Sequence, residues 1–190
     1  MYSVTNKSVK LMQRGFTLVE LLIVVIILAI LAAIVIPQFS GATVDAQESS
    51  LSSNLSGLRS AIELYKAQHN GLYPGAVAAT GATCSPGTAG AGAAGSASAV
   101  VAQLTMYSSA NGQTCTGTSA TAPTKLGPYL RSGMPAEPIN NNVNIATPTT
   151  TGAPLVAAGT TGGWAYDVKS GQIIMNSTAN DSKGAPYSAR

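Results

Sequence analysis

One carboxylate stands where a carboxylate is costly. From Phe16 to Ile36 only Thr17 and Glu20 are polar, and from Leu21 to Ile36 the chain is unbroken Leu, Ile, Val and Ala. An ionised group in hydrocarbon costs on the order of 2.5 to 3.5 kcal/mol even on the lenient insertion scale, so Glu20 needs a partner. No Lys, Arg or His lies between Phe16 and Arg59, so neither this segment nor an identical neighbour offers a basic side chain at that depth. A free amine would serve. Cleavage between Gly15 and Phe16 would place a new α-amino group at about the depth of Glu20. Gly15 is small enough to fit a protease active site beside the cut, and Arg14 would hold the scissile bond near the cytoplasmic interface. Because helical side chains lean toward the N-terminus, Glu20 could also reach the amine of its own Phe16 one turn away. Pairing between subunits is the preferred assignment, on the argument that a buried carboxylate usually marks a functional contact.

The element that positions Glu20 is a membrane-length helix. At 1.5 Å per residue, Phe16 to Ile36 makes roughly 31 Å of helix, about one bilayer core. The charge pattern orients it. The chain carries 10 basic and 7 acidic residues in 190, a formal net charge of +3. Lys7, Lys10 and Arg14 account for the whole excess, and the remaining seven basic residues balance seven acids. A basic arm directly before an apolar span is a topology signal and not a nucleic-acid footprint: it keeps the arm in the cytoplasm and sends everything after Pro37 across the inner membrane. A charged fraction of 9% also argues against an ordinary cytosolic enzyme. A cleaved secretory signal is the alternative, with Ser40-Gly41-Ala42 as a small-x-small site. The length of the apolar run and the presence of Glu20 weigh against it.

Past Pro37, where a kink is expected because one backbone donor is lost, the helical pattern resumes. Val44, Leu51, Leu55, Leu58, Ile62 and Tyr65 form a stripe down one face, predicting one helix from about Phe16 to His69 that is stopped by Asn70-Gly71. Residues 75–97 read as an Ala, Gly, Thr and Ser loop without regular structure. Residues 97–108 read as a short second helix ended by Asn111-Gly112. Residues 127–142 read as an irregular stretch, and 163–176 as a hairpin whose Trp164 and Tyr166 are core aromatics facing the long helix.

Arg14-Gly15-Phe16-Thr17-Leu18-Val19-Glu20, followed by the long apolar helix and Pro37, resembles the N-terminal signature of type IV pilins and type II secretion pseudopilins. The resemblance covers Arg14 to Pro37. It implies that a prepilin peptidase cuts after Gly15 and N-methylates Phe16, and that Glu20 pairs with the N-terminal amine of a neighbouring subunit during assembly. It implies an α+β pilin fold: a cytoplasmic leader at 1–15, a transmembrane and assembly helix at 16–37, the periplasmic half of that helix at 38–70, and a small antiparallel-sheet head at 71–190. The implied partners are identical subunits in a helical filament, the prepilin peptidase and the inner-membrane assembly machinery. The implied location is the inner membrane as a single-pass precursor, then an extracellular or periplasmic filament. The first alternative is a pseudopilin that drives protein export, and the second is a monomeric, signal-anchored envelope binding module. One departure is Ala29, where many relatives have the glycine at which the helix melts in filaments.

Cys84 and Cys115, the only cysteines, lie outside the membrane in this topology, where oxidation is permitted. A disulfide is expected, stabilising the head by on the order of 3 to 4 kcal/mol in the chain-entropy model. Many pilins place theirs near the C-terminus, so no adhesive C-terminal loop is carried over. His69, the one histidine, is expected to be a solvated residue at a polar helix end. No metal, cofactor or catalytic group is expected. The sequence has no zinc spacing, phosphate-cradling loop or nucleophile elbow, and Asn180-Asp181-Ser182 is the nearest approach to the oxygen cluster that calcium wants.

Overall fold

With no water to satisfy backbone groups in hydrocarbon, an apolar run of this length must be helical. The computed structural model describes residues 15–117, 125–146, 148–159 and 163–190, with backbone alone at 36–40. The expected leader before Gly15 and the side chain of Pro37 lie outside the described residues. Helix α1 spans Leu18–Gln68 and is assigned as helix through position 37. Beyond it Asn70 (φ 55°) and Gly71 (φ 81°) take the left-handed conformation, and the Gly71 N–H closes on the Lys66 carbonyl at 3.0 Å, a helix stop of the expected kind.

The chain divides into two units, residues 1–43 and 44–190. In the first, Leu18–Val35 has a mean hydropathy of 3.3 and buries nothing within the chain. Its large side chains are exposed on every side of the helix, from Leu18 to Val35. A helix that is apolar all round belongs in a bilayer or in the centre of an assembly.

The second unit is built on the rest of α1. Leu51, Leu55, Leu58, Ile62 and Tyr65 are all buried. They share one core with Val100, Leu104, Trp164, Tyr166, Ile173 and Met175, as the apolar stripe requires. Helix α2 covers Ala97–Thr105; Ser96 caps it by accepting the Ala99 N–H on its side chain. It is shorter than the 97–108 expected. At Met106 the backbone turns extended, and β1 (Tyr107–Ser108) pairs antiparallel with β2 (Thr114–Cys115), in the register Tyr107 opposite Cys115. Asn111-Gly112 therefore turns a hairpin and does not end a helix. Gly112 (φ +84°) is required there, because a Cβ would stand 2.4 Å from Val77 Cγ2.

The C-terminal hairpin is present as β3 (Trp164–Tyr166) and β4 (Ile173–Met175), with Trp164 opposite Met175 and Tyr166 opposite Ile173. Ile145 bridges Trp164 of β3, and Thr149 bridges Asp167 just beyond it, both in the parallel sense. The irregular 127–142 stretch is fastened by three side-chain donors to nearby carbonyls: Trp164 Nε1 to Pro135 at 2.9 Å, Asn54 Nδ2 to Ala136 at 3.1 Å and Gln47 Nε2 to Pro138 at 3.3 Å. The 75–97 stretch has no helix or strand before Ala97, as expected, yet it is packed and not merely a surface loop. Ala79 is fully buried, its carbonyl accepts the Thr114 N–H at 3.0 Å, and Thr114 in turn accepts from Gly90. These elements give the α+β architecture of a long helix with small antiparallel sheets.

Candidate functional site

The start of α1 is set by a reciprocal cap. Thr17 precedes the first helical residue, and its Oγ1 accepts the Glu20 N–H at 3.2 Å. Glu20 Oε2 accepts the Thr17 N–H at 2.8 Å and the Thr17 hydroxyl at 2.7 Å. This is the Thr-x-x-Glu capping box, which satisfies donors that the first turn otherwise leaves unpaired. The sequence reading missed it, although the spacing of three was visible. The cap holds the Glu20 carboxylate at the N-terminal end of the helix, beside Phe16, the side where an α-amino group would appear. Among the described residues, no cation lies against Glu20.

Gly15 has no steric reason to be glycine in this fold. A Cβ there would meet nothing within 4 Å, so whatever demands a small residue lies outside the folded chain. Phe16 is 86% exposed. An exposed Phe16, a carboxylate held one turn in and a span of bare apolar helix long enough to cross a membrane thus stand together at one end of α1.

The comparisons with known proteins meet the chain at this place. The model of the prokaryotic N-terminal methylation motif matches residues 10–36. The type II secretion system core protein G of Pectobacterium carotovorum is 40% identical over 62 residues, 33% of this chain and 39% of that protein; that of Klebsiella pneumoniae is also 40% identical over 62 residues, 44% of its length. The type IV major fimbrial protein FimA of Dichelobacter nodosus is 50% identical over 54 residues, 28% of this chain and 35% of that protein. No solved structure matches at the same level of significance. The chain spans about two fifths of the length of the curated relatives it matches. Over this N-terminal segment the chain is similar to type IV fimbrial proteins and type II secretion core proteins.

In the second unit, Cys84 and Cys115 are joined, with Cα atoms 5.8 Å apart, tying the 75–97 stretch to β2. Two buried acids are satisfied without a cation. Asp167 accepts from Thr149 Oγ1 (2.7 Å), Gly152 N (3.2 Å), Ser170 N (2.7 Å) and Ser170 Oγ (2.7 Å). Burial pushes its carboxyl up, but the bonds from Ser170, Thr149 and Gly152 outweigh it and hold the group down at about 2. Glu137, fully buried, accepts the Ile139 and Asn140 N–H groups and so closes its own turn.

Glu48 is the acid that sequence reading passed over. It continues the stripe between Val44 and Leu51, is nearly buried, and reaches the C-terminal segment. Its Oε1 accepts the Ser182 N–H at 2.7 Å, and its Oε2 lies 2.8 Å from Arg190 Nη2. The same Nη2 is 2.7 Å from Asp181 Oδ2. The Ser182 backbone bond and the Arg190 guanidinium hold the Glu48 carboxyl below its usual range, and Arg190 together with the Ala185 and Lys183 N–H groups does the same for Asp181. Asp181 is thus engaged by a guanidinium and its own turn. An acid at a stripe position was the signal; its partners lie more than 130 positions away in sequence.

His69 is not solvated. It is 1% exposed, and its Nε2 lies 2.9 Å from Ser108 Oγ. Serine and histidine at that distance have the geometry of a nucleophile and its base. Ser108 is fully buried, however, and neither residue lines a cavity of the head. A cavity of about 640 Å³ between α2 and the 143–145 segment, lined by Val101, Met106, Met134, Val143 and Ile145 among others, contains no acid, base or thiol.

Proposed function

We propose that this chain is the structural subunit of a type IV pilus or pilus-like filament. It is inserted in the inner membrane by the start of α1, cut after Gly15 and N-methylated at Phe16 by a prepilin peptidase, and polymerised with α1 in the filament core. The observation that carries the reading is the coincidence at one end of one helix of a sterically unneeded glycine, an acid without a cation and a wholly exposed apolar span. The Glu20 carboxylate is then the group that meets the amine of an adjoining subunit's Phe16, as one N-terminus is drawn against the next.

A Glu20→Ala variant should insert and be cut normally but yield no filaments in shear fractions viewed by electron microscopy; normal filaments from that variant would remove Glu20 from assembly. The second reading, a pseudopilin that drives export, is favoured by the matches to core protein G, which run over 62 residues against 54 for the fimbrial protein. Long surface fibres of this chain speak for the pilus, and loss of export of a secreted protein on deletion speaks for the pseudopilus.

A further inference from the structure

The sole histidine of the chain is closed in where the last turn of α1, strand β1 and the 127–130 segment meet. Its ring lies flat on Tyr65, centroids 3.6 Å apart and planes within 5°, and edge-on to Tyr129 at 6.0 Å. Both ring nitrogens are engaged. Nδ1 is 2.8 Å from the Tyr65 carbonyl oxygen, which can only accept, so Nδ1 carries the proton. Nε2 is therefore the lone-pair nitrogen and accepts the Ser108 hydroxyl at 2.9 Å. The neutral ring thus has both nitrogens satisfied.

A second proton finds no such welcome. It would bring a full charge into a site with 1% exposure and set an Nε2–H against a hydroxyl that is itself donating. The titratable groups facing the ring are Tyr65 from α1 and Tyr129 from the 127–130 segment, and neither phenol ionises in acid. Among the described residues, the ring also meets Ser108 of β1 and the backbone of Ser109 just after it. The nearest charged pair on α1, Glu63 and Lys66, is engaged with Tyr73. Burial lowers the proton affinity of the ring and outweighs the opposing pull of the Tyr65 and Ser109 backbone.

We propose that His69 is an acid-sensitive latch: protonation of its ring releases β1 and the Tyr129 segment from the end of α1 and loosens the disulfide-bearing part of the head, while the β3–β4 hairpin stays folded. The sign follows from linkage. A group whose folded form prefers to be neutral contributes stability that is present above its ordinary value of 6.5 and is lost as pH falls below it. The opening is local because β1 belongs to a two-stranded sheet with β2, tied to Leu126 through Ser108 in both directions at 2.9 and 3.0 Å, and shares no sheet with β3 and β4.

The test is hydrogen exchange on the full-length protein in detergent micelles between pH 8 and 5, with the imidazole resonances followed alongside; a single histidine makes them unambiguous. The expected result is a ring that titrates below the ordinary histidine value. Protection at the Ser108, Leu126 and Tyr129 amides, corrected for intrinsic exchange, should fall by up to about tenfold per pH unit below about 6.5, while Asp167 and Ile174 stay protected. In His69→Gln, which does not titrate, that pH-dependent loss should vanish. A ring that titrates at its ordinary value with protection unchanged, or a loss that persists in His69→Gln, overturns the proposal. Should His69→Gln fail to fold, the wild-type titration and exchange profiles decide alone.

Discussion

Of the two residues that the sequence singles out at the start of α1, Gly15 and Glu20, the fold gives a local account of the second alone, its capping box with Thr17. Among the described residues no cation lies against the carboxylate, and the glycine has neither a left-handed φ nor a neighbour that a Cβ would strike. Thr17 was the missed third member, tying the carboxylate back to the helix start through two bonds to Glu20 Oε2. If processing is what requires glycine at 15, Gly15→Leu should leave the melting temperature of the head unchanged and leave the leader uncut, read from the intact mass of membrane-extracted protein. Asp167 makes a different kind of prediction. Its carboxyl is held at about 2 against an ordinary value of 3.8, a depressed group, so its contribution to stability is present above 3.8 and drains away as pH falls toward 2. Thermal melts between pH 5 and 2 should show this loss, and Asp167→Asn should melt lower at pH 7 with a shallower decline in acid. His69 and Glu48 were not legible, because what makes each special is a partner the sequence separates widely: Ser108 for the histidine, and Ser182 and Arg190 for the glutamate.

At the scale of elements, periodicity was the reliable signal and its interruptions the unreliable one. The stripe from Leu51 to Tyr65 is buried as its spacing of three and four requires, and the Trp164–Tyr166 and Ile173–Met175 strands pair where β-prone residues flank the Lys169-Ser170-Gly171 turn. Helix α2 was extended three residues too far, because Met106, Tyr107 and Ser108 satisfy a helical pattern as well as an extended one; pairing with Thr114 and Cys115 decides it. The 75–97 stretch was legible as lacking regular structure but not as packed, since its order comes from backbone bonds to Thr114 and Thr116 and from small buried residues such as Ala79. The Cys84–Cys115 bond closes a loop with a sequence separation of 31. In the chain-entropy model, replacing both cysteines by serine should lower the unfolding free energy of the head by about 3 to 4 kcal/mol. Urea titration followed by tryptophan fluorescence checks this. The transition should shift to lower urea while the native spectrum is kept, because the backbone bonds to Thr114 and Thr116 remain. An unshifted midpoint would show that the loop is already ordered in the unfolded chain.

At the scale of the molecule, the chain consists of one unit with a core of its own and one, residues 1–43, whose apolar helix buries nothing within it. Such a surface calls for lipid or another apolar partner, and the proposed membrane insertion followed by polymerisation would provide these in turn. On the proposed reading the formal charge of +3 belongs to the precursor: cutting after Gly15 would remove Lys7, Lys10 and Arg14 and leave equal numbers of acidic and basic side chains. A near-neutral subunit packs beside many copies without strong mutual repulsion, which removes the basis for reading the basic pI as nucleic-acid binding. The most direct measurement is N-terminal sequencing with intact mass of the protein isolated from its own cells. The account predicts a chain that begins at Phe16 and carries one methyl group on its amine. A chain that begins at Met1, or at Thr43 after signal cleavage, would contradict it.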